Sequence, residues 1–467
     1  MSDEGLRQAR EVMLAGDVHP RAVAVFEHYY RELESGATGM IAEADIDPLV
    51  DPPRLVDLDV DPAQAQEALA RTAVIKLNGG LGTSMGMDRA KSLLPVREGR
   101  TFLDVIVEQV LRMRREHDVA LPLILMNSFR TRDDSLAALA GHPELQVEGL
   151  PLDFLQNREP KLRSDDLTPV HWPADSSMEW APPGHGDLYT ALEVSGLLDA
   201  LLEAGYRYAS VSNSDNLGAA PDPTIVGWFA GSGAPYAAEV CARTRADLKG
   251  GHLAIRKSDG RLILRETAQT SKEDLAAFTD GDRHAYFHTN NLWFDLQALR
   301  TALTERDGVL GLPLIRNVKT VDPSDSSSPE VVQIETAMGA AVEVFEGATA
   351  LEVPRSRFLP VKTTNDLLLV RSDVYDLRPD ARLERAVDEV PLVDLDPTYY
   401  KTIAAFDSRF PSGPPSLRAA TSLRVRGDWT FGADVRVQGD ASLDDTGRAE
   451  RIEDGTVIGD LPPGHHR

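Results

Sequence analysis

The segment that most restricts the fold runs from Lys76 to Val96, KLNGGLGTSMGMDRAKSLLPV. It begins inside a short apolar run, Ala73 to Leu77, whose length and composition predict a buried strand. The run breaks into Gly79, Gly80, Gly82 and Gly86, which remove Cβ atoms where the backbone must come close to something else. Such a turn presents several N–H groups to an anion, and Lys91 adds a positive charge shortly afterwards. Two familiar phosphate loops do not fit. A Walker A loop needs Gly-Lys-Ser/Thr at a fixed distance from its first glycine, whereas Lys91-Ser92 follows Ala90 and lies too far from Gly82 or Gly86. A dinucleotide fingerprint needs G-x-G-x-x-G, and Gly80, Gly82 and Gly86 miss it by one residue. On pattern alone the loop is either an anion cradle or a plain strand-to-helix connection.

The rest of the centre repeats the strand-then-helix rhythm, which predicts α/β architecture. Thr101 to Arg112 reads as a helix, Leu121 to Met126 as a buried strand and Ala191 to Ala204 as a helix. Tyr208 to Ser212 reads as a strand running into Asn213-Ser214-Asp215-Asn216, and Gly250 to Leu264 as a hairpin turning at Ser258-Asp259-Gly260. The N-terminal stretch to Glu34 has helical spacing with a break at His19-Pro20. Residues 43–63, rich in Asp and Pro, read as an extended connector. Near the C-terminus Val425, Phe431, Val437 and Leu443 recur every six residues, as do Leu423, Trp429, Val435 and Ala441. A six-residue apolar period predicts a parallel β-helix, with a meander of ordinary strands as the alternative. The expected division is an N-terminal helical segment and connector (1–63), a catalytic unit (64–375) and a C-terminal unit (376–467).

Charge narrows the partners. The net charge of −25 opposes a polyanion, because nucleic-acid binding rests on phosphate neutralisation by basic residues. A small phosphorylated ligand remains compatible, since a few lysines in a pocket reverse the local field. No run of about 18 apolar residues suggests a membrane span. The sequence begins MSDEGLRQAREVML, without the basic-then-apolar order of a secretory signal. Cys241 is the single cysteine, so no internal disulfide forms and the expected location is the cytoplasm. No His partner stands near Cys241 in sequence, which predicts a buried structural thiol with no chemical role.

The glycine segment, LNGGLGTSMG in its core, resembles the nucleotide-binding loop of sugar nucleotidyltransferases, and in full it is similar to that of the eukaryotic-type UTP–glucose-1-phosphate uridylyltransferases. Further blocks carry the likeness along almost the whole chain. They are LMNSF (125–129), WAPPGHGDL (180–188), VSNSDNLGA (211–219), TNNLW (289–293), IETAMGAA (334–341) and VPRSRFLPVKTTNDLLL (353–369). The resemblance implies a Rossmann-like mixed-sheet nucleotidyltransferase domain with a C-terminal left-handed parallel β-helix, in agreement with the six-residue period. It also implies UTP and glucose 1-phosphate as substrates, Mg²⁺ as cofactor, and either a monomer or a homo-oligomer formed through the β-helix. Two positions depart from the family pattern. Ala90 stands where proline commonly precedes the lysine, and His288 where asparagine often begins Asn-Thr-Asn-Asn.

By the same resemblance, Leu77, Asn78, Gly79 and Gly80 cradle the nucleotide. Gln156 reads the uracil edge, a task for which an amide can donate and accept at once. Gly184 lies near the uracil and His185 near the sugar phosphate. Asn213 contacts the nucleotide or sugar, and Asp215 is the metal residue, a hard oxygen donor of the kind Mg²⁺ takes with phosphate oxygens. Glu266, Asn290 and Asn291 hold sugar hydroxyls, and Lys91 and Lys362 meet the reacting phosphates. Lys362 belongs to a basic island, Arg355 to Lys362, in an acidic chain. The implied chemistry is attack of a sugar-phosphate oxygen on the α-phosphorus of UTP with loss of pyrophosphate. The alternatives are a pyrophosphorylase of different or broader sugar range, a nucleotide-sugar-binding regulator without catalysis, and a kinase, the last disfavoured by the failed Walker A spacing.

Overall fold

The computed structural model describes residues 2–244, 247, 250–323 and 325–459. The chain opens with two helices, α1 (Ser2–Ala15) and α2 (Pro20–Glu34). They separate where the sequence predicts: Pro20 takes the first helical position, where its missing N–H costs nothing. His19 caps the helix, its ring accepting from the Arg21 N–H at 3.1 Å. Val23, Phe26, Tyr30 and Leu33 form the buried stripe of α2. The connector expected at 43–63 is extended only in part. It contains short 3₁₀ turns at Glu43–Asp45 and Leu55–Asp57 and a three-residue strand, Ile46–Pro48. Its end is helical from Pro62, because Asp61 caps a helix through Ala70.

A seven-stranded mixed sheet forms the centre. Its strands are β1 (Thr72–Asn78), β2 (Leu123–Asn127), β3 (Asp153–Leu155), β4 (Tyr208–Asn213), β5 (Tyr236–Ala242), β6 (Tyr286–Asp295) and β7 (Thr349–Glu352), in the spatial order β7-β5-β6-β4-β1-β2-β3. Only β6 runs antiparallel to its neighbours. Alternate side chains of β1 and β2 feed two different cores: Val74, Leu123 and Leu125 one, Ile75, Ile124 and Met126 the other. A sheet buried on both faces needs continuous apolar strands, which is why these runs show no polar alternation. The α1–α2 pair belongs to the core on the second face.

β6 is irregular. Ala238 pairs with Leu292 and Val240 with His288, so Glu239 alone faces Thr289, Asn290 and Asn291. Asn290 accommodates this bulge with φ of 60°, a left-handed conformation that asparagine tolerates. The helix expected over 191–204 is two helices, α3 (Leu188–Val194) and Leu197–Glu203. Gly196, at φ 73°, breaks the run.

The C-terminal part stacks parallel strands. Leu392–Leu395, Ser416–Val425, Arg436–Leu443 and Val457–Ile458 pair in that order, and Trp429–Phe431 pairs with Glu450–Ile452. Partners such as Leu423 with Ala441 and Val425 with Leu443 are 18 residues apart, three of the six-residue steps. Leu423, Val425, Phe431, Val435, Val437 and Ala441 are buried, and Trp429 and Leu443 pack at the margin. This core is continuous with the one beneath Val74 and Leu125, so the C-terminal part shares its interior with the central sheet.

Candidate active site

The chain order β1, β2, β3 proceeds to one side of β1, and β4 then joins on the other side. Open α/β sheets bind ligands at the carboxyl ends of the strands where this reversal occurs. A cleft of about 390 Å³ lies there, with Leu77, Gly79 and Gly80 after β1, Gln156 after β3, and Asn213 and Asp215 after β4. The glycine segment doubles back on itself: the Lys91 N–H donates to the Gly80 carbonyl at 3.1 Å, and Leu81 pairs with Ala90. That reversal brings the Lys91 ammonium into the cleft, 2.5 Å from the Asp215 carboxylate. Both side chains keep some access to solvent, at 16% and 19% exposure. Gly79 lets the Gln156 amide lie close over the loop, because a Cβ there would sit 2.5 Å from its oxygen and push the side chain aside. Asn78 follows a different path from its neighbours. Its amide turns into the protein and donates to Asn127 at 2.7 Å and Ser135 at 2.8 Å, leaving it to position the loop.

The turn Pro182 to Asp187 forms the opposite wall. Gly184 has φ 79°, and a Cβ on it would lie 2.6 Å from the Thr336 carbonyl. Thr336 grips the turn, its N–H donating to Pro183 at 3.0 Å and its carbonyl accepting from Gly186 at 2.8 Å. His185 reaches the cleft mouth, and its Nδ1 accepts from the Met338 N–H at 2.9 Å. The ring is therefore the Nε2–H tautomer, with a donor left for a ligand. The surrounding protein lowers its pKa, with only the Glu335 charge opposing, so the imidazole is neutral at pH 7.

The remaining expected residues divide. The Val361 N–H donates to the Asp215 carbonyl at 3.3 Å, and Asn216 pairs with Pro360, so the segment carrying Lys362 is stitched to the Asp215 loop. Lys362 itself is exposed and does not line the cleft. Its charge is felt by Glu266, whose pKa is raised by burial and partly restored by Lys362. Glu266 caps a short turn with Gln269 outside the cleft. Asn290 is half-buried, and its amide oxygen lies 3.1 Å from the His288 ring. Asn291 departs from the expectation of a sugar contact. It is 2% exposed, and its amide is committed to Glu239 (2.9 Å), Asn216 (3.0 Å) and the Arg357 carbonyl (3.2 Å). The bulge in β6 turns it inward.

Several supporting groups escape sequence reading. Glu239 is held by Arg357 at 2.7 and 2.8 Å and by the Trp293 indole at 2.9 Å. Burial pushes its carboxyl up, but the Arg357 charge and these bonds hold it below the usual range. Lys76 is 1% exposed and donates to Ser212 and to the Ala219 carbonyl, both at 2.7 Å. Burial, then the nearby Arg357, lower its pKa to about 7. His288 is pushed down to about 4 by burial and by His185. The one signal in the sequence was charge within apolar strands, as in Lys76 of AVIKL and Glu239 of YAAEVCA. Cys241 is a buried thiol donating to the Val353 carbonyl at 3.3 Å, its pKa pushed up to about 12 by burial.

A family described as UTP–glucose-1-phosphate uridylyltransferase matches residues 23–438. The chain belongs to that family. The UTP–glucose-1-phosphate uridylyltransferase of Solanum tuberosum is 40% identical over 411 residues, covering 87% of this chain and 83% of the relative. That of Saccharomyces cerevisiae is 41% identical over 374 residues, 79% of this chain and 73% of the relative. Among solved structures, a mutant UDP-glucose pyrophosphorylase from Leishmania major in complex with UDP-glucose superposes with a TM-score of 0.91 at 40% identity, covering 97% of this chain and 98% of that one. In this uridylyltransferase-family chain the glycine segment, Gln156, the Gly184–His185 turn and the Asp215 loop all meet at the cleft. Among the described residues no helix is long and apolar enough to cross a membrane.

Proposed function

We propose that the chain joins UTP to glucose 1-phosphate, giving UDP-glucose and pyrophosphate. The observation that carries this reading is the convergence of Lys91, Asp215, Gln156 and His185 on one cleft at the reversal of strand order. A phosphate oxygen of glucose 1-phosphate attacks the α-phosphorus of UTP. The new P–O bond forms as the bond from the α-phosphorus to the bridging oxygen breaks, and pyrophosphate departs with that electron pair. The nucleophile is already an anion at neutral pH, so no general base is required. The barrier lies in bringing two polyanions together and in the charge of the leaving group, which positioning and fixed positive charge reduce.

Each residue has a task in this reading. Gln156 meets the uracil edge beside Gly79 and Gly184, Asn213 supports the nucleotide, and the Nε2–H of neutral His185 donates to a sugar-phosphate oxygen. Lys91 holds phosphate oxygens inside the cleft, and Lys362 approaches from its rim, with Glu266 and Asn290 on the sugar side. Mg²⁺ suits the donor set. Asp215 offers one hard carboxylate facing the cleft. That is the situation of an ion bound by one carboxylate with phosphate oxygens and water. Held at Asp215 with the triphosphate, it would supply charge neutralisation.

The same reading makes residues 1–63 the helical segment and connector, 64–375 the catalytic domain and 376–467 a domain built on a left-handed β-helix. The 18-residue offset between stacked strands supports the last assignment. Incubation with UTP, Mg²⁺ and a panel of sugar 1-phosphates tests the function. Pyrophosphate release with glucose 1-phosphate alone is expected; release with several sugars makes it a broader pyrophosphorylase. ADP formed from ATP would replace it with a kinase, and UTP binding without release with a regulator.

A further inference from the structure

Asp187 ends the turn that carries Gly184 and His185 and stands directly before α3. An aspartate at that place ordinarily caps the helix with its own side chain. Here it makes no capping bond. The carboxylate is 6% exposed and reaches across to the chain after β3, accepting the Asn157 N–H at 2.6 Å and the Asn157 side-chain amide at 2.7 Å. Burying a carboxylate that pairs with no cation among the described residues is costly, and burial raises its pKa to about 7. Glu159 lies nearby at 3% exposure, with one oxygen lacking a partner among the described residues. Burial, with Asp187 and Glu335 close by, pushes Glu159 well above the carboxylate range. Both acceptor oxygens of Asp187 are spent on Asn157.

Asn157 follows the residue assigned to the base. The Gln156 N–H donates to the Asn127 carbonyl at 2.8 Å, and its amide lies against Gly79. The backbone on both sides of Gln156 is therefore tied, to β2 by Asn127 and to the Gly184 turn by Asp187. An amide has donor and acceptor ends and matches uracil or cytosine according to which end faces the base. Discrimination needs that amide held in one place.

We propose that Asp187 is a positioning residue for base recognition: its buried carboxylate clamps Asn157 and thereby fixes the segment that presents Gln156 across the cleft from Gly184. This rests on the reading that Gln156 faces the uracil. Leaving a buried donor without its acceptor changes an equilibrium by about tenfold.

The test is steady-state kinetics of the full chain with UTP and with CTP at saturating glucose 1-phosphate. Asp187→Asn keeps the shape but removes the charge and one of the two acceptor oxygens. It should raise KM for UTP and lower the preference for UTP over CTP, each by about tenfold, while kcat changes by less than about threefold. Gln156→Ala should do the same, and the double variant should add little to either single one. If Gln156→Ala loses the preference while folded Asp187→Asn keeps it, the clamp is wrong and the base assignment stands. If Gln156→Ala itself keeps both values, the base assignment fails and the clamp with it. Should Asp187→Asn not fold, Asn157→Ala removes one of the two bonds and must show a smaller shift in the same direction; an unchanged KM and preference would overturn the proposal.

Discussion

Lys91 is delivered to the cleft by a backbone reversal, and its ammonium rests on Asp215. A charge already in place when negative charge builds up lowers a barrier without reorganisation, and losing one typically costs about 3 to 4 kcal/mol. Lys91→Ala should therefore lose about 10² to 10³ in kcat, with KM values and folding little altered. Lys362→Ala should lose a similar factor although the residue is exposed and does not line the cleft, because its proposed role is also with the reacting phosphates. Near-normal turnover of either purified variant contradicts its role. Lys76 makes a different prediction. Its folded pKa is depressed to about 7, whereas an unfolded chain holds lysine near 10.4. Between these values the unfolded state binds the extra proton, so this residue adds stability as pH rises from about 7 and withdraws it as pH falls through the folded pKa. Lys76→Met removes that contribution. The stability of the parent relative to Lys76→Met, measured by urea unfolding, should grow between pH 7 and 9 with a slope approaching about 1.4 kcal/mol per pH unit.

At the level of elements, the turn Pro182 to Asp187 and the strand pair β5–β6 decide what faces the cleft. Gly184→Ala combines a left-handed backbone with a Cβ 2.6 Å from the Thr336 carbonyl. It should destabilise the fold by about 2 kcal/mol or more and raise KM for UTP, readable from a thermal melt and a substrate titration. An alanine variant of normal stability and KM would show that the turn can shift away from Thr336. The glycines, the breaks at Pro20 and the strands β1, β2 and β4 were legible because each follows from a local rule. The inward rotation of Asn291 was not. Sequence reading placed it beside Asn290 as a second sugar contact, but a bulge depends on which residues lie across the sheet, and Glu239 is some fifty positions away in the chain. The break at Gly196 was missed because its apolar spacing fits one helix as well as two. Asp187 was seen as part of a motif, yet its partner Asn157 comes from another strand end and carries no spacing signal.

Over the whole molecule, the helix that follows Lys362, α4 (Thr364–Arg371), ties the cleft to the C-terminal part. Asn365 accepts from the Leu395 N–H at 3.1 Å, Arg371 meets Asp407 at 2.6 Å, and Asp373 accepts from Ser416 and Leu417 at 2.7 and 2.8 Å. The six-residue period announced parallel stacking but not this attachment, since a repeat reports only its own interior. Removing residues 376–467 should lower the melting temperature and abolish turnover together, because one apolar interior is opened and the support of Lys362 is lost. A truncated chain that stays folded and active would separate the two parts.

The detour in β6 has a consequence for how length can vary at that corner. Between His288 and Leu292 the strand carries two residues more than its neighbour spends between Val240 and Ala238. An even surplus preserves parity, so Phe287 and Trp293 still feed one layer while Leu292 and Phe294 feed the other. Losing a single position there would invert every side chain on one flank of the gap, whereas losing a pair would leave the layers matched and erase only the local protrusion. Tolerated changes of length at this corner should therefore come in twos.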